Sequence, residues 1–269
     1  MRQEEVKVSI VTVGMNHRKF IEVLYKTIYD ECKPEFEFET IYIDNCSTDD
    51  SVNFVSTHYP QVKVVTNLKP LGFGENNNKG VELSNGDYIC LLNPDIILRK
   101  GSLEKVIIKA GSMNWKGIIV PKLLNIDGSV QNSVRGFITL GTILNRWFTW
   151  ENDNTNNSKV RKYLCKDLDL SKEQEVDWAI GAAMFMSRKT YVGLGGFDRR
   201  YFLYMEDEDL CLRAWKQGTP VLYYPEAEFI HHHLRSSTHL SKRTLQHLKS
   251  LMIFFHRHGF NYKRNIIVR

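Results

Sequence analysis

Along the first hundred residues the spacing of apolar positions switches repeatedly between period two and the helical period of about 3.6. Val6-Lys-Val-Ser-Ile-Val-Thr-Val13 alternates and then turns wholly apolar, as an opening buried strand does. Phe20, Val23, Leu24, Thr27 and Ile28 then recur at helical spacing between His17 and Asp30. A second strand is predicted over Phe38–Asp44, and a helix capped by an early Asp or Ser over Asp49–Tyr59. A third strand is expected over Val62–Thr66, a helix over Asn76–Leu83 and a fourth strand over Tyr88–Leu92. This alternation predicts an α/β fold with a parallel sheet and right-handed crossovers. The second half is less regular. Strands are expected at Gly117–Leu123, Val176–Met186 and Pro220–Tyr224, with a helix over Asp207–Gln217. The polar stretch 151–158 reads as a loop inside a domain, because core-like segments resume after it. No internal repeat is present.

Composition adds two constraints. With 269 residues, 42% hydrophobic and 25% charged, the chain suits a globular enzyme with a substantial core. The five cysteines (Cys32, Cys46, Cys90, Cys165, Cys211) are scattered without metal-type spacing, which suits a reducing compartment. The start Met-Arg-Gln-Glu-Glu is not a signal peptide, and no apolar stretch approaches a membrane span. The expected location is therefore cytoplasmic. Charge is unevenly placed: Arg235 to Arg269 holds eight Lys and Arg and no Asp or Glu, leaving a mildly acidic body. Leu245, Leu248, Met252 and Phe255 recur at helical spacing among Lys242, Arg243, Lys249 and Arg257. Such a basic amphipathic tail either lies on an anionic membrane or packs its apolar stripe on the body.

Candidate chemistry gathers at the strand ends. Val13-Gly14, Asp44-Asn45, Asn67 and Asn93-Pro-Asp95 close the first four strands. In an open parallel sheet these ends share one edge, where ligands bind. A carboxylate such as Asp95 suits a hard cation carrying phosphate oxygens. Asp44 suits a pyrimidine ring or a ribose, and Asn77 and Asn78 offer amides at a helix start. Each of these residue types also favours turns and caps, so the weight lies in their agreement. Gly72-x-Gly74 is a poor dinucleotide fingerprint: Asn77 stands at the third glycine, and the motif follows the third strand. Gly14-Met-Asn-His-Arg-Lys19 has a single glycine, which disfavours a nucleotidyltransferase phosphate loop. Four acids at 206–209 open an amphipathic helix. They serve its dipole, and adjacent carboxylates among apolar walls also gain the raised pKa of a general base. In Ile230-His-His-His233, neighbouring side chains point to opposite faces, so one or two of the three could meet a metal.

Four blocks together carry a family resemblance. They are Val8-Ser-Ile-Val-Thr-Val13; Ile43-Asp-Asn-x-Ser-x-Asp49; Gly72-Phe-Gly-x-x-Asn-Asn-x-Gly80 followed by Leu91-Leu-Asn-Pro-Asp95; and Gly195-Gly-Phe-Asp-x-x-Tyr-Phe-Leu-Tyr-x-Glu-Asp-x-Asp-Leu-Cys-Leu-Arg213. In this order the chain resembles the family 2 glycosyltransferases of GT-A fold, most closely the bacterial rhamnosyltransferase-like branch. The resemblance implies a Rossmann-like, mostly parallel sheet flanked by helices. Residues 1–234 would form the catalytic domain, with a donor half at 1–100 and an acceptor half at 101–234, and 235–269 a helical tail. It implies inverting transfer from a nucleoside diphosphate sugar, with dTDP-rhamnose the leading donor, to a glycan or lipid-linked acceptor in cell-surface polysaccharide synthesis. Mg2+ or Mn2+ would be the cofactor. Asp207 would be the catalytic base, with Glu206 beside it. Thr12, Val13, Asp44, Asn45, Asn67, Gly72, Asn77, Asn78, Asn93 and Asp95 would face the donor. Asp95 and His231 (or His232 in a shifted register) would hold the metal, and Trp178, Gly181 and Tyr204 would face the acceptor. The family's metal motif is often Asp-x-Asp; here Asn93 replaces the first acid, so metal affinity would lean on the diphosphate. The basic tail adds peripheral contact with an anionic membrane at its inner face. Nucleic acid is not expected, since no recognition module is present. The intact Glu206-Asp207 pair argues against a protein that only binds sugar nucleotides or polyanions. The sequence leaves the oligomeric state open, a dimer included.

Overall fold

The computed structural model describes residues 7–114, 116–148, 157–232 and 242–260. Val6, residues 151–156, His233 and the tail segments 234–241 and 261–269 lie outside the described residues. The N-terminal half follows the hydrophobic pattern closely. Strand β1 (Lys7–Gly14) is followed by α1 (Arg18–Lys26), β2 (Glu37–Asp44), α2 (Ser51–His58), β3 (Lys63–Thr66), α3 (Phe73–Glu82) and β4 (Tyr88–Leu92). β2, β3 and β4 join β1 in parallel in the order β3-β2-β1-β4. The helix expected over His17–Asp30 is α1 plus a π-helical turn at Thr27–Glu31.

The second half departs from the pattern in instructive ways. After β5 (Ile96–Leu98) comes α4 (Ser102–Ser112), a helix missed because Ile107 and Ile108 blur the stripe of Leu103, Val106 and Ala110 that it buries. Strand β6 (Ile118–Leu124) leads to β7 (Val134–Arg135), α5 (Leu140–Phe148), α6 (Ser158–Tyr163) and β8 (Gln174–Glu175). Asn157 caps α6 by accepting the N–H groups of Lys159 and Val160, so the polar stretch ends in a helix start. The apolar run at 176–186 is two strands. β9 (Trp178–Ala179) pairs with β7 in a small second sheet. The chain then bends, with Ile180 N–H bonded to Ser133 O, before β10 (Ala183–Ser187) enters the main sheet. β10 runs antiparallel between β4 and β6, so the sheet is mixed. After α7 (Arg188–Gly193) and α8 (Glu206–Lys216), strand β11 (Val221–His231) runs seven residues beyond the predicted Tyr224. Its pairing with β6 slips between Tyr224 and Glu228, around Pro225, which has no N–H to give the ladder.

The sheet is covered on both faces. Ile21 and Leu24 of α1, Phe54 and Val55 of α2, and Leu103 and Val106 of α4 fill one layer. Val81 of α3, Tyr191 of α7, and Leu210 and Ala214 of α8 fill the other. Helix α9 (Lys242–His258) sits outside these layers, burying Phe254 and Phe255 against Tyr201, Met205 and Leu212. The expected tail stripe therefore divides: Phe255 turns inward, while Leu245, Leu248 and Met252 stay exposed.

A buried ion cluster ties α9 to α8. Asp209 has no solvent exposure. Its Oδ2 accepts from Arg213 Nε at 2.8 Å and its Oδ1 lies 2.7 Å from His258 Nε2. Arg213 also donates to the carbonyls of Leu194 and Gly196, and Arg257 reaches Asp198. Removing one member of a buried pair leaves an uncompensated charge. Arg213→Met is expected to lower unfolding free energy by about 3 kcal/mol, measured by urea denaturation at neutral pH.

Candidate active site

The carboxyl ends of β1 and β2 are laced together by their exit turns. Asn16 Oδ1 accepts Thr48 N–H at 2.7 Å, and Asp49 Oδ2 accepts Arg18 N–H at 3.0 Å. Asp44 is buried in this corner, its Oδ2 accepting Ser47 N–H at 3.0 Å and its Oδ1 facing Tyr42 hydroxyl at 3.3 Å. Asn45 and Asn67 belong to a polar frame. Asn45 Oδ1 accepts Leu71 N–H at 2.8 Å and Asn67 Nδ2 at 3.0 Å; Asn67 also donates to Asn76 Oδ1 and accepts from Lys79 Nζ. The frame fixes the β3–α3 connection, so these amides are committed to the protein.

Other expected donor residues divide in the same way. Thr12 is buried within the sheet, sharing a face with Val8 and Ile10 by strand alternation, while Val13 packs on the opposite layer. Asn77 donates to Phe73 O at 3.0 Å. Asn78 accepts from Tyr191 hydroxyl at 2.6 Å and Phe197 N–H at 2.8 Å, and donates to Phe197 O at 2.8 Å, which staples that loop to α3. Gly72 is needed for close approach: a Cβ there would stand 2.6 Å from Tyr201 O. Phe73 N–H also bonds Phe202 O, so α3 abuts the segment that leads to α8.

At the end of β4 the structure brings Asp95 and His231 together. Asp95 Oδ1 lies 3.4 Å from His231 Nε2. His231 Nδ1 lies 2.7 Å from Gln131 Oε1, and Gln131 Nε2 donates to Asn125 Oδ1 at 3.0 Å. That second bond sets the amide so that its oxygen faces the ring. Nδ1 therefore donates to Gln131, and Nε2 is the ring nitrogen that faces Asp95. A carboxylate and an imidazole nitrogen, with the ring fixed from behind, are ligand types that a divalent cation accepts, but they are two, and no group of three or more His, Cys, Asp or Glu suited to a metal occurs among the described residues. His232 instead gives its N–H to Asp95 O at 2.9 Å and sets its ring 5.1 Å from Phe20. His17, which the sequence pattern marks only as a helix start, lies close enough to feel Asp95 and Asp49. Burial lowers its pKa while both carboxylates oppose that.

Asp207 stands on the same edge. Asn93 N–H bonds Ala182 O at 2.9 Å, and the neighbouring Gly181 N–H bonds Asp207 Oδ2 at 3.0 Å. One backbone bond and one backbone-to-carboxylate bond thus bridge the Asn93-Pro-Asp95 turn to the head of α8. Asp207 Oδ1 also accepts Glu208 N–H at 2.9 Å. Burial raises the pKa of Asp207, while the N–H groups of Glu208 and Gly181 oppose the rise and Arg135 is the cation that also lowers it. Glu206 is buried and its Oε2 has no hydrogen-bond partner. Burial first, then Asp207, push its pKa up to about 8. Tyr204 and Met205, just before this pair, both have φ of 70°, an uncommon pair of left-handed non-glycine residues. Of the expected acceptor residues, Gly181 touches Asp207, and the Tyr204 ring packs 5.0 Å from His247 of α9. Trp178 spends its indole N–H on Gly136 O and is buried in the small sheet. A cavity of about 550 Å³ behind α3 and α8 lies apart from these carboxylates.

Solved structures with this fold include GalNAc-T7, in a crystal with UDP, GalNAc and Mn2+ (TM-score 0.69, 15% identity), covering 94% of this chain and 48% of that one. A mannosyltransferase from Pyrobaculum calidifontis, in complex with GDP-Man and Mn2+, matches with TM-score 0.62 and 15% identity over 97% of this chain and 66% of its own. The architecture is thus the GT-A fold of glycosyltransferases. The family model described as Glycosyl transferase family 2 matches residues 9–188. An N-acetylglucosaminyl-diphospho-decaprenol L-rhamnosyltransferase of Mycobacterium tuberculosis is 30% identical over 232 residues, 78% of this chain and 72% of that one. Rhamnosyltransferase WbbL of Escherichia coli is 28% identical over 269 residues, 96% of each chain. The chain belongs to glycosyl transferase family 2, in its rhamnosyltransferase-like branch.

The state of Glu206 gives a pH test. A carboxyl kept neutral by burial binds its proton more tightly when folded. Its contribution to stability is whole below the ordinary value of 4.5 and is lost as pH rises toward about 8. Glu206→Gln imitates the neutral acid. Relative to this variant, the native protein is expected to lose up to about 1.4 kcal/mol per pH unit across that window, read from thermal unfolding between pH 5 and 8. Parallel curves for the two proteins would reject the neutral acid.

Proposed function

We propose that this glycosyltransferase moves a sugar, with L-rhamnose the leading candidate, from a nucleoside diphosphate donor to a hydroxyl of a lipid-linked saccharide, with inversion. The product would serve cell-surface polysaccharide synthesis. The observation that carries the reading is the bridge from Asn93 through Ala182 and Gly181 to Asp207. It supports a cleft with the donor diphosphate near Asp95 and a base poised for the acceptor. The activities of the two rhamnosyltransferase relatives support the sugar, and that of the mycobacterial one supports the lipid-linked acceptor.

The chemistry follows from what each residue has left to offer. Asp44 keeps acceptor capacity for a base or ribose beyond its two protein contacts. Asp95 and His231 would hold Mg2+ or Mn2+, which when bound supplies positive charge against the departing diphosphate. Asp207 receives one backbone N–H on each oxygen, which fixes the carboxylate plane and leaves lone pairs for an acceptor O–H. The raised pKa strengthens it as a base. Arg135 balances its charge from the β7 side. A neutral Glu206 beside it adds no second negative charge. Inversion requires the attacking hydroxyl and the leaving group on opposite faces of the sugar, which suits a base and a diphosphate site carried by separate elements.

Asp207→Asn is expected to retain nucleotide-sugar binding and to lose transfer by about two orders of magnitude or more, followed by single-turnover assay with dTDP-rhamnose and a lipid-linked acceptor. In a thermal-shift panel of nucleotide sugars, Asp95→Ala should abolish the extra stabilisation that Mn2+ adds to the donor. Transfer near the native rate in the first variant, or an undiminished Mn2+ effect in the second, would remove that residue from its role.

A further inference from the structure

Helix α9 has two apolar faces, and the fold uses one. Phe254 and Phe255 enter the core with Tyr201, Met205 and Leu212, and Ser250 Oγ donates to Leu203 O at 2.8 Å. The other face leaves Leu245, Leu248 and Met252 at 71%, 53% and 67% exposure. These positions fall at i, i+3 and i+7, so they form one stripe. Beside it, α5 exposes Leu140 and Leu144, and Phe260 follows the end of α9. Leu140, Leu245, Leu248, Met252 and Phe260 are among the side chains framing an open apolar groove of about 840 Å³. None of them takes part in the chemistry at Asp95 or Asp207.

We infer that the joint α5–α9 face is a membrane-docking surface, its apolar stripe entering the headgroup and acyl boundary of an anionic bilayer. Charge selects this occupant. The segment from Arg235 to Arg269 carries eight Lys and Arg and no Asp or Glu, and Lys249 is exposed on α9 itself. Arg257 is taken up by Asp198 and Asp209, but α9 has no acidic residue, and a second copy seated on the face about a two-fold axis would set two such helices, each with Lys249 exposed, against each other. An anionic lipid surface complements them, and each basic residue near it adds attraction. Apolar side chains flanked by cations are the pattern of a helix lying in the plane of a bilayer. The same helix braces the turn that presents the proposed base: Ser250 bonds Leu203, and His247 packs on Tyr204. Docking by this face would hold the Tyr204–Asp207 segment at the lipid surface, where a lipid-linked acceptor resides. This step rests on the lipid-linked reading of the acceptor; the binding surface itself does not.

The test uses the full chain and vesicles of phosphatidylcholine alone or mixed with phosphatidylglycerol, with no transfer reaction. Native protein is expected to pellet with the mixed vesicles and to dissociate as salt is raised. The double variant Leu248→Glu, Met252→Glu alters exposed positions only. Its unfolding temperature and its thermal shift with nucleotide sugar should be unchanged, while its partition onto mixed vesicles falls by about tenfold or more. Equal pelleting of the two proteins, pelleting indifferent to lipid charge, or no pelleting at all would overturn the surface. So would a dimer in sedimentation velocity without lipid that the double variant dissolves, since a second copy would then cover the face. A protein that pellets as expected yet shows no shift with any nucleotide sugar would sink the proposed activity and leave the surface standing.

Discussion

The N–H of Gly181 bonded to Asp207 is the contact that ties the head of α8 to the edge where β4 ends. β4 ends at Leu92 and Asn93 opens the turn after it; α8 begins at Glu206, far along the chain. What connects them is β10, inserted antiparallel beside β4, with Ala183 opposite Leu92. The peptide units just before β10 give one bond back to Asn93 and one forward to Asp207. The spacing of the Asn93 turn from the head of α8 is thus set by one backbone pair and one backbone-to-carboxylate bond on consecutive residues.

The turn into α8 shows where stability is spent. Tyr204 and Met205 hold left-handed backbone, and each such residue costs of order 1 kcal/mol or more. Such conformations persist only when their surroundings over-determine them. Here Met205 is packed with Phe254 and Phe255, Leu203 is bonded to Ser250, and Asp209 one turn on is bonded to Arg213 and His258. Carboxylates that burial would otherwise expel are held where helix, turn and tail meet. Glu206 and Glu208 each keep one buried oxygen without a hydrogen-bond partner, consistent with acids that remain neutral.

Much of this was legible in the chain. Local periodicity sufficed for β1 to β4 and the helices between them, because each buries one clear stripe. The family motifs also paired Asp95 with His231, which the structure brings within 3.4 Å of each other. The mixed sheet was not legible, since an apolar run such as 176–186 reads the same whichever neighbour it pairs with, and only tertiary contact divides it at Ile180. The roles of Asn45, Asn67 and Asn78 were also hidden. An amide reads as a ligand group in sequence, yet these three spend their bonds holding loops to α3. Gln131 and His17 lacked any signal, because their partners are distant along the chain.

The sharing of Asp209 between α8 and α9 bears on where this protein can be cut. A boundary drawn before residue 235 looks natural from charge and composition, yet it would strip His258 and Arg257 from an acid with no access to water. It would also bare the ring-lined floor beneath α8. Energetically α9 is a strut of the fold, so a shortened version made for crystallography or for screening inherits a weakened turn into α8 along with its lost tail.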